Sequence, residues 1–170
     1  LKHRDHLEKL VEERTAELQQ EITERKQAEE TVKKNEERFR TIADFTYDWE
    51  SWLAPDGKFN YVSPSFERIT GYSPDELLAD QQFIERIIHP DDRKQFSEHL
   101  YHHTNKQEIQ SIDFRIIHHD GDIRWISQIC QPVYDSDESY IGRRASNRDI
   151  TQQKALEEQF RQSLKMEAIG

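Results

Sequence analysis

The sequence predicts an α+β fold in which one antiparallel sheet is covered on one face by short helices. Three observations lead there. Runs rich in strand-forming residues flank two turn signals, Pro55-Asp56-Gly57 and Asp120-Gly121. Glycine accepts the positive φ of tight hairpin turns, so each signal sits between two strands. Between the hairpins lie three stretches that each open with a helix-start signal. Strands at both ends of a core with helices between them build one helix-covered antiparallel sheet.

Taken in order, residues 47–53 and 58–62 read as the first hairpin. Ser63-Pro64 places a hydroxyl before a proline at the first helical position. Ser73-Pro74-Asp75-Glu76 is a capping-box pattern, with Tyr72 and Leu77 as a hydrophobic staple. His89-Pro90-Asp91-Asp92 opens a longer helix over about 90–103, with two acids where the helix dipole favours them. Phe96 and Leu100 mark its core face, and His99 and His103 lie beside that stripe. The second hairpin alternates Ile112, Phe114 and Ile116 before its turn and Ile123, Trp125, Ser127 and Ile129 after it. Alternation at every second position turns one face of each strand into the core. A third run, 140–147, leads to Asp149-Ile150-Thr151 and a charged helix. Asp149 reads as that helix's N-cap, with Gln152 reaching back, and Leu156, Phe160 and Leu164 form its apolar stripe.

Residues 2–44 contain no Gly or Pro and abound in Glu, Lys, Arg and Gln, all good helix formers. Val11, Leu18, Val32 and Phe39 recur on a seven-residue track broken by Arg25, and Ile22 and Ala43 fall on the complementary track. This thin seam with charged flanks points to a parallel two-stranded coiled coil, although Glu8, Glu29 and Glu36 occupy seam positions. About 36 helical residues at ~1.5 Å each make a rod on the order of 50 Å long, suited to transmission.

The 170 residues carry 24 basic and 34 acidic side chains, a net charge of −10. That excess of acid argues against a nucleic-acid partner, which needs clustered Lys and Arg. Sixteen of the seventeen aromatics follow position 44, so the core forms from about residue 45 onward. Cys130 is the only cysteine and reads as a buried hydrophobe on a strand in a reducing, cytoplasmic setting. No apolar run approaches the roughly 20 residues of a membrane span. The chain starts and stops in mid-helix, so an inner-membrane anchor in a longer parent is compatible with it.

The motifs in combination resemble the PAS family over residues 45–151. Gly71-Tyr72-Ser73-Pro74-Asp75-Glu76-Leu77-Leu78 is similar to its GYSxxEL segment, and Ile88-His89-Pro90-Asp91-Asp92-Arg93 to its HPDDR helix start. His119-Asp120-Gly121-Asp122-Ile123-Arg124-Trp125 resembles its DGxxRW hairpin, and Asp149-Ile150-Thr151 its DIT signal-transfer motif. The resemblance implies a five-stranded antiparallel sheet with short helices over a small pocket. Residues 10–18 are similar to the helix that leads into sensor domains of bacterial histidine kinases. Residues 163–170 resemble the segment before a kinase's phosphoacceptor helix. The expected organisation is a signalling helix at 1–44, the PAS domain at 45–151 and a linker helix at 152–170.

No catalytic constellation stands out: there is no phosphate loop, zinc-type Cys pair or nucleophile elbow. The fragment is therefore read as non-catalytic, within a parent that is a histidine kinase. Its expected partners are a second copy through the terminal helices, the kinase core in cis, a response regulator downstream, and a small-molecule ligand. The sequence names no cofactor and no metal. Some PAS domains hold haem through a histidine on the long helix, which makes His99 or His103 the candidate there. A flavin photosensor needs a Cys that residues 75–86 lack.

The pocket candidates are Trp49, Tyr61, Phe66, Phe83, Phe96, His103, Phe114, Trp125 and Arg143. If the strand alternates regularly, either Arg143 or Arg144 turns inward and needs an anion or carboxylate partner, from a ligand or from the protein; the alternative is that both lie on a solvated sheet face. Asp149, Ile150, Thr151 and Arg124 are the expected signal-transfer residues. Asp149 is expected to contact Arg124 or an amide near the Asp120-Gly121 turn. The alternatives are a ligand-free dimerisation spacer, a haem gas sensor, or a module serving a cyclic-nucleotide enzyme.

Overall fold

A computed structural model of the chain describes residues 2–101 and 108–168. It divides into two units, Leu1–Ile42 and Ala43–Gly170. The first unit is occupied by helix α1, Lys2–Asp44, which ends just inside the second. With no Gly or Pro to interrupt it, each backbone N–H beyond the first turn can reach the carbonyl four residues back. Ion pairs such as Arg14–Glu17 (2.7 Å) and Arg25–Glu29 (3.0 Å) run along its surface. Val11, Leu18, Val32 and Phe39, the predicted seam, are each more than half exposed.

The second unit holds β1 Trp49–Leu53, β2 Phe59–Val62, α2 Ser65–Thr70, α3 Pro74–Ala79 and α4 Phe83–Ile87. A 3-10 turn, Pro90–Asp92, leads into α5 Arg93–Tyr101. Then come β3 Gln110–Ile117, β4 Ile123–Tyr134, β5 Tyr140–Asp149 and α6 Thr151–Glu167. The five strands form one sheet in the order β2-β1-β5-β4-β3, every neighbouring pair antiparallel. The last strand thus lies at the centre, between the two hairpins. The structure begins β1 two residues later than expected and carries β5 two residues further, to Asp149. The expected extension of α5 to His103 falls outside the described residues.

The core lies between the inner sheet face and the short helices. Phe66 and Ile69 of α2, Leu77 of α3, Ile84 of α4 and Phe96 of α5 meet Phe114, Ile116 and Ile126 of the sheet. Edge-to-face pairs Trp49–Phe66 and Phe96–Phe114, each 4.8 Å between ring centres, tie helices to strands. Burying each such side chain contributes about 1.5–3 kcal/mol.

Two expectations about this architecture fail. On β4 the inward face is Ile126, Gln128 and Cys130, while Ile123 and Ile129 are about half exposed. Cross-strand pairing decides this: Ile126 faces Phe114 on β3, and Gln128 faces Asn147 on β5. The Ser63 hydroxyl does not cap α2. It accepts from Glu50 N–H at 2.8 Å and meets the Ser65 hydroxyl at 2.6 Å, stitching β1 to the entrance of α2. The α3 signal behaves as a capping residue pair: the Glu76 carboxylate accepts from Ser73 N–H at 2.8 Å.

Candidate functional site

Two places combine local chemistry with a position in the fold: the junction of β5 with α6, and a small cavity beneath the sheet. At the junction a single residue, Ile150, separates strand from helix. Ile150 N–H donates to the Trp125 carbonyl at 2.8 Å. Trp125 N–H donates to the Thr151 hydroxyl at 2.9 Å, and that hydroxyl donates to Asp149 Oδ1 at 2.6 Å. Asp149 Oδ1 also accepts from Thr151 N–H at 2.9 Å. The expected N-cap role of Asp149 is therefore corrected. Asp149 is the last residue of β5, Ile150 stands at the cap position without a side-chain bond, and Asp149 clasps the first helical residue instead.

Arg124 Nη1 stands 3.6 Å from Asp149 Oδ2 and donates to the Ile69 carbonyl of α2 at 3.2 Å. The Asp149 carboxylate finds its amide partner at Thr151, not at the Asp120-Gly121 turn. On the first turn of α6, Lys154 pairs with Asp113 of β3 at 3.2 Å and lies over the Trp125 ring. The start of α6 is thus held by β3, β4 and β5 together.

On β3, Arg115 takes Asp92 in a two-pronged grip, Nε to Oδ2 at 2.9 Å and Nη2 to Oδ1 at 2.7 Å. Hydrogen bonds from that guanidinium hold the Asp92 carboxyl below the usual carboxylate range.

The cavity has a volume of about 30 Å³ and lies between the inner face of β1, β5 and β4 and helices α4 and α5. Its apolar wall includes Trp49, Leu53, Ile84, Phe96 and Leu100; its polar groups are His99, Gln128, Cys130 and Arg143. The alternation of β5 turns Arg143 inward, where it is only 5% exposed, and Arg144 outward, where Nε meets Glu50 Oε2 at 3.0 Å. Arg143 Nη2 donates to the carbonyls of Glu108 (2.9 Å) and Cys130 (3.3 Å) and lies 3.4 Å from Cys130 Sγ. The other side of that sulfur meets His99 Nε2 at 3.4 Å.

Of the expected pocket residues, Trp49, Phe96 and Arg143 line this cavity. Trp125 does not: the phase of β4 places it on the outer face, between Arg115 and Lys154. Tyr61 instead donates its hydroxyl to Asp44 at 2.9 Å; burial, then Asp44, push its phenol up. Phe83 packs against Tyr72, while Phe66 and Phe114 are buried in the core away from the cavity. His103 lies outside the described residues. Gln128, Cys130 and Ala145 were missed, because all three follow from the strand phase rather than from residue type. Among the described residues, no group of three His, Cys, Asp or Glu is placed to hold a metal ion. No described helix is long and apolar enough to cross a membrane.

Comparison with known proteins settles the family. The family model described as PAS fold matches residues 59–143, half of the chain. The chain belongs to the PAS family. Its PAS fold is shared with a solved sensory-box histidine kinase/response regulator of Burkholderia thailandensis, 26% identical, with a TM-score of 0.57. That match covers 78% of this chain and 99% of the other. The PAS domain of an HTR-like protein of Haloarcula marismortui superposes with a TM-score of 0.60 at 20% identity, covering 74% of this chain and 99% of that one. The uncharacterised protein y4lL of Sinorhizobium fredii is 27% identical over 140 residues, 82% of this chain. The chain spans only 17% of that relative's length. This PAS domain is thus a sensor module similar to those found in histidine kinases.

Proposed function

We propose that this PAS module relays a signal within a dimeric sensor histidine kinase. Residues 1–44 serve as the incoming signalling helix, 45–151 as the PAS domain and 152–170 as the linker helix toward a phosphoacceptor domain. The observation that carries this reading is the junction: β5, the central strand, passes into α6 through the single residue Ile150. Both backbone groups of Trp125 and the Asp149 carboxylate clamp that passage. A change in sheet packing that moves β4 against β5 therefore moves the base of α6.

Leu156, Phe160 and Leu164 are each at least half exposed on α6, as is the seam of α1. Pairing of these stripes with a second copy buries them and links the two outgoing helices. A signal biases the kinase only through its differential affinity for two such arrangements. The partners that follow are the kinase core in cis and a response regulator.

The test is Asp149→Ala in the full-length kinase, read as autophosphorylation with and without stimulus. The expected result is a folded protein whose output no longer responds to the stimulus. An unchanged response overturns the relay reading. A haem reading finds no support in the cavity, since sites for molecules of that class need upwards of roughly 300 Å³ and this one offers about 30 Å³.

A further inference from the structure

Three buried polar side-chain atoms have no hydrogen-bond partner among the described residues: Trp49 Nε1, Arg143 Nε and Arg143 Nη1. All three are donors, and both residues line the cavity under the sheet. The one engaged nitrogen of Arg143, Nη2, meets two carbonyl oxygens and a sulfur, and no described carboxylate lies within ion-pair distance of it. Its neighbour Arg144 shows the contrast: exposed to water, it still pairs with Glu50. A guanidinium taken out of water without a counter-charge is expensive, and two idle N–H groups add to that cost. A water molecule can accept from one or two of these donors but leaves the charge uncompensated. An anion seated on these donors would compensate it.

The remaining wall defines what kind. Trp49, Phe96 and Leu100 present apolar surface, and a volume of about 30 Å³ admits only a small molecule. A small monocarboxylate matches both halves, because its oxygens accept charge-assisted bonds while its short tail faces hydrocarbon. We propose that the cavity at Arg143 binds a monocarboxylate of formate to acetate size, its carboxylate on the free guanidinium N–H groups. This rests on the sensor-module reading above and names the class of its ligand.

The experiment uses the whole chain. Formate and acetate are titrated against sodium chloride, with butyrate as an acid too large for the cavity, at matched ionic strength and pH 7, and melting temperature and calorimetric heat are recorded. A saturable rise in Tm with formate and acetate, absent with chloride and butyrate, is expected. Arg143→Gln should weaken binding at least tenfold, and Arg144→Gln should leave it unchanged. Should Arg143→Gln fail to fold, saturation-transfer NMR decides. Wild type should pass magnetisation to the acid's methyl group, and Ala145→Leu, which fills the cavity while keeping the arginine, should abolish it. Stabilisation by chloride or butyrate equal to that by acetate, or transfer that survives Ala145→Leu, overturns the proposal. These measurements read binding and not kinase output, so the relay and the ligand can fail separately.

Discussion

The backbone N–H of Trp125 donates to the hydroxyl of Thr151 at 2.9 Å, while the carbonyl of the same tryptophan accepts from Ile150. One residue of β4 therefore holds both sides of the point where β5 becomes α6. The arrangement continues the β4–β5 ladder, whose last backbone pair is Ile126 with Asp149, one step into the helix. The Thr151 side chain takes the place of the next backbone acceptor.

Thr151→Val keeps the shape of the side chain but removes both the acceptor for Trp125 and the donor to Asp149. A loss of about 1–2 kcal/mol is expected from those hydrogen bonds, read as a lower urea midpoint. Hydrogen exchange at the Trp125 amide should quicken more than at Phe114 in the core. Equal exchange at the two sites would show that the hydroxyl does not hold the junction.

The Asp92–Arg115 pair gives a pH dependence with a definite sign. Hydrogen bonds from Arg115 depress the Asp92 carboxyl in the folded chain. Its contribution is therefore fully present above the unfolded value of about 3.9. It is lost as pH falls through the depressed folded value. Asp92→Asn should cost about 1–3 kcal/mol near neutrality, and the gap to wild type should narrow steadily below about pH 4. Denaturant titrations at neutral and acidic pH check this, and a gap that stays constant rules out the carboxylate as its source.

Gly142 has φ +127°, and a Cβ there would run into the Leu53 carbonyl oxygen across the β1–β5 pair. Gly142→Ala should cost upwards of about 2 kcal/mol, through strain and a backbone clash together. Gly57 has φ +84° with nothing within 4 Å of a built Cβ, so Gly57→Ala should cost only about 1–2 kcal/mol. Thermal melts of the two variants side by side test the difference; equal losses would mean that the close approach at Gly142 relaxes freely.

Asn147 is fully buried, its Nδ2 donating to the Trp49 carbonyl at 3.0 Å and its Oδ1 accepting from Gln128 Nε2 at 2.7 Å. Asn147→Ala strands the Gln128 amide group in the core, for an expected loss of about 1–3 kcal/mol. The double variant with Gln128→Leu should recover part of that loss, because the stranded Gln128 amide is removed with it. A double variant no more stable than Asn147→Ala would count against the buried-polar account.

How much of this was readable beforehand differs from element to element. The Ser73-Pro74-Asp75-Glu76 helix start, the alternation of β3 and the direct handover from last strand to last helix all appear where local signals put them. The Asp149 cap did not, since a capping residue and a strand-end clasp share one sequence pattern, and only the position of Thr151 against Trp125 tells them apart. The cavity was legible in Trp49 and Phe96, but not in Cys130 or Gln128 nor in the choice between Arg143 and Arg144.

By itself the sequence determined the two hairpin turns, the five strands and every helix but α4, which opens without a capping side chain, because a glycine's positive φ and the two-residue period are properties of a few neighbouring residues. The tertiary structure alone decided which face of β4 is inside and which of Arg143 and Arg144 is buried. Both phases of β4 carry apolar side chains, and two adjacent arginines are locally equivalent. Only the register that sets Ile126 against Phe114 and Arg143 against Leu53 breaks the tie. Such a register is a relation between distant segments, and no local pattern holds it.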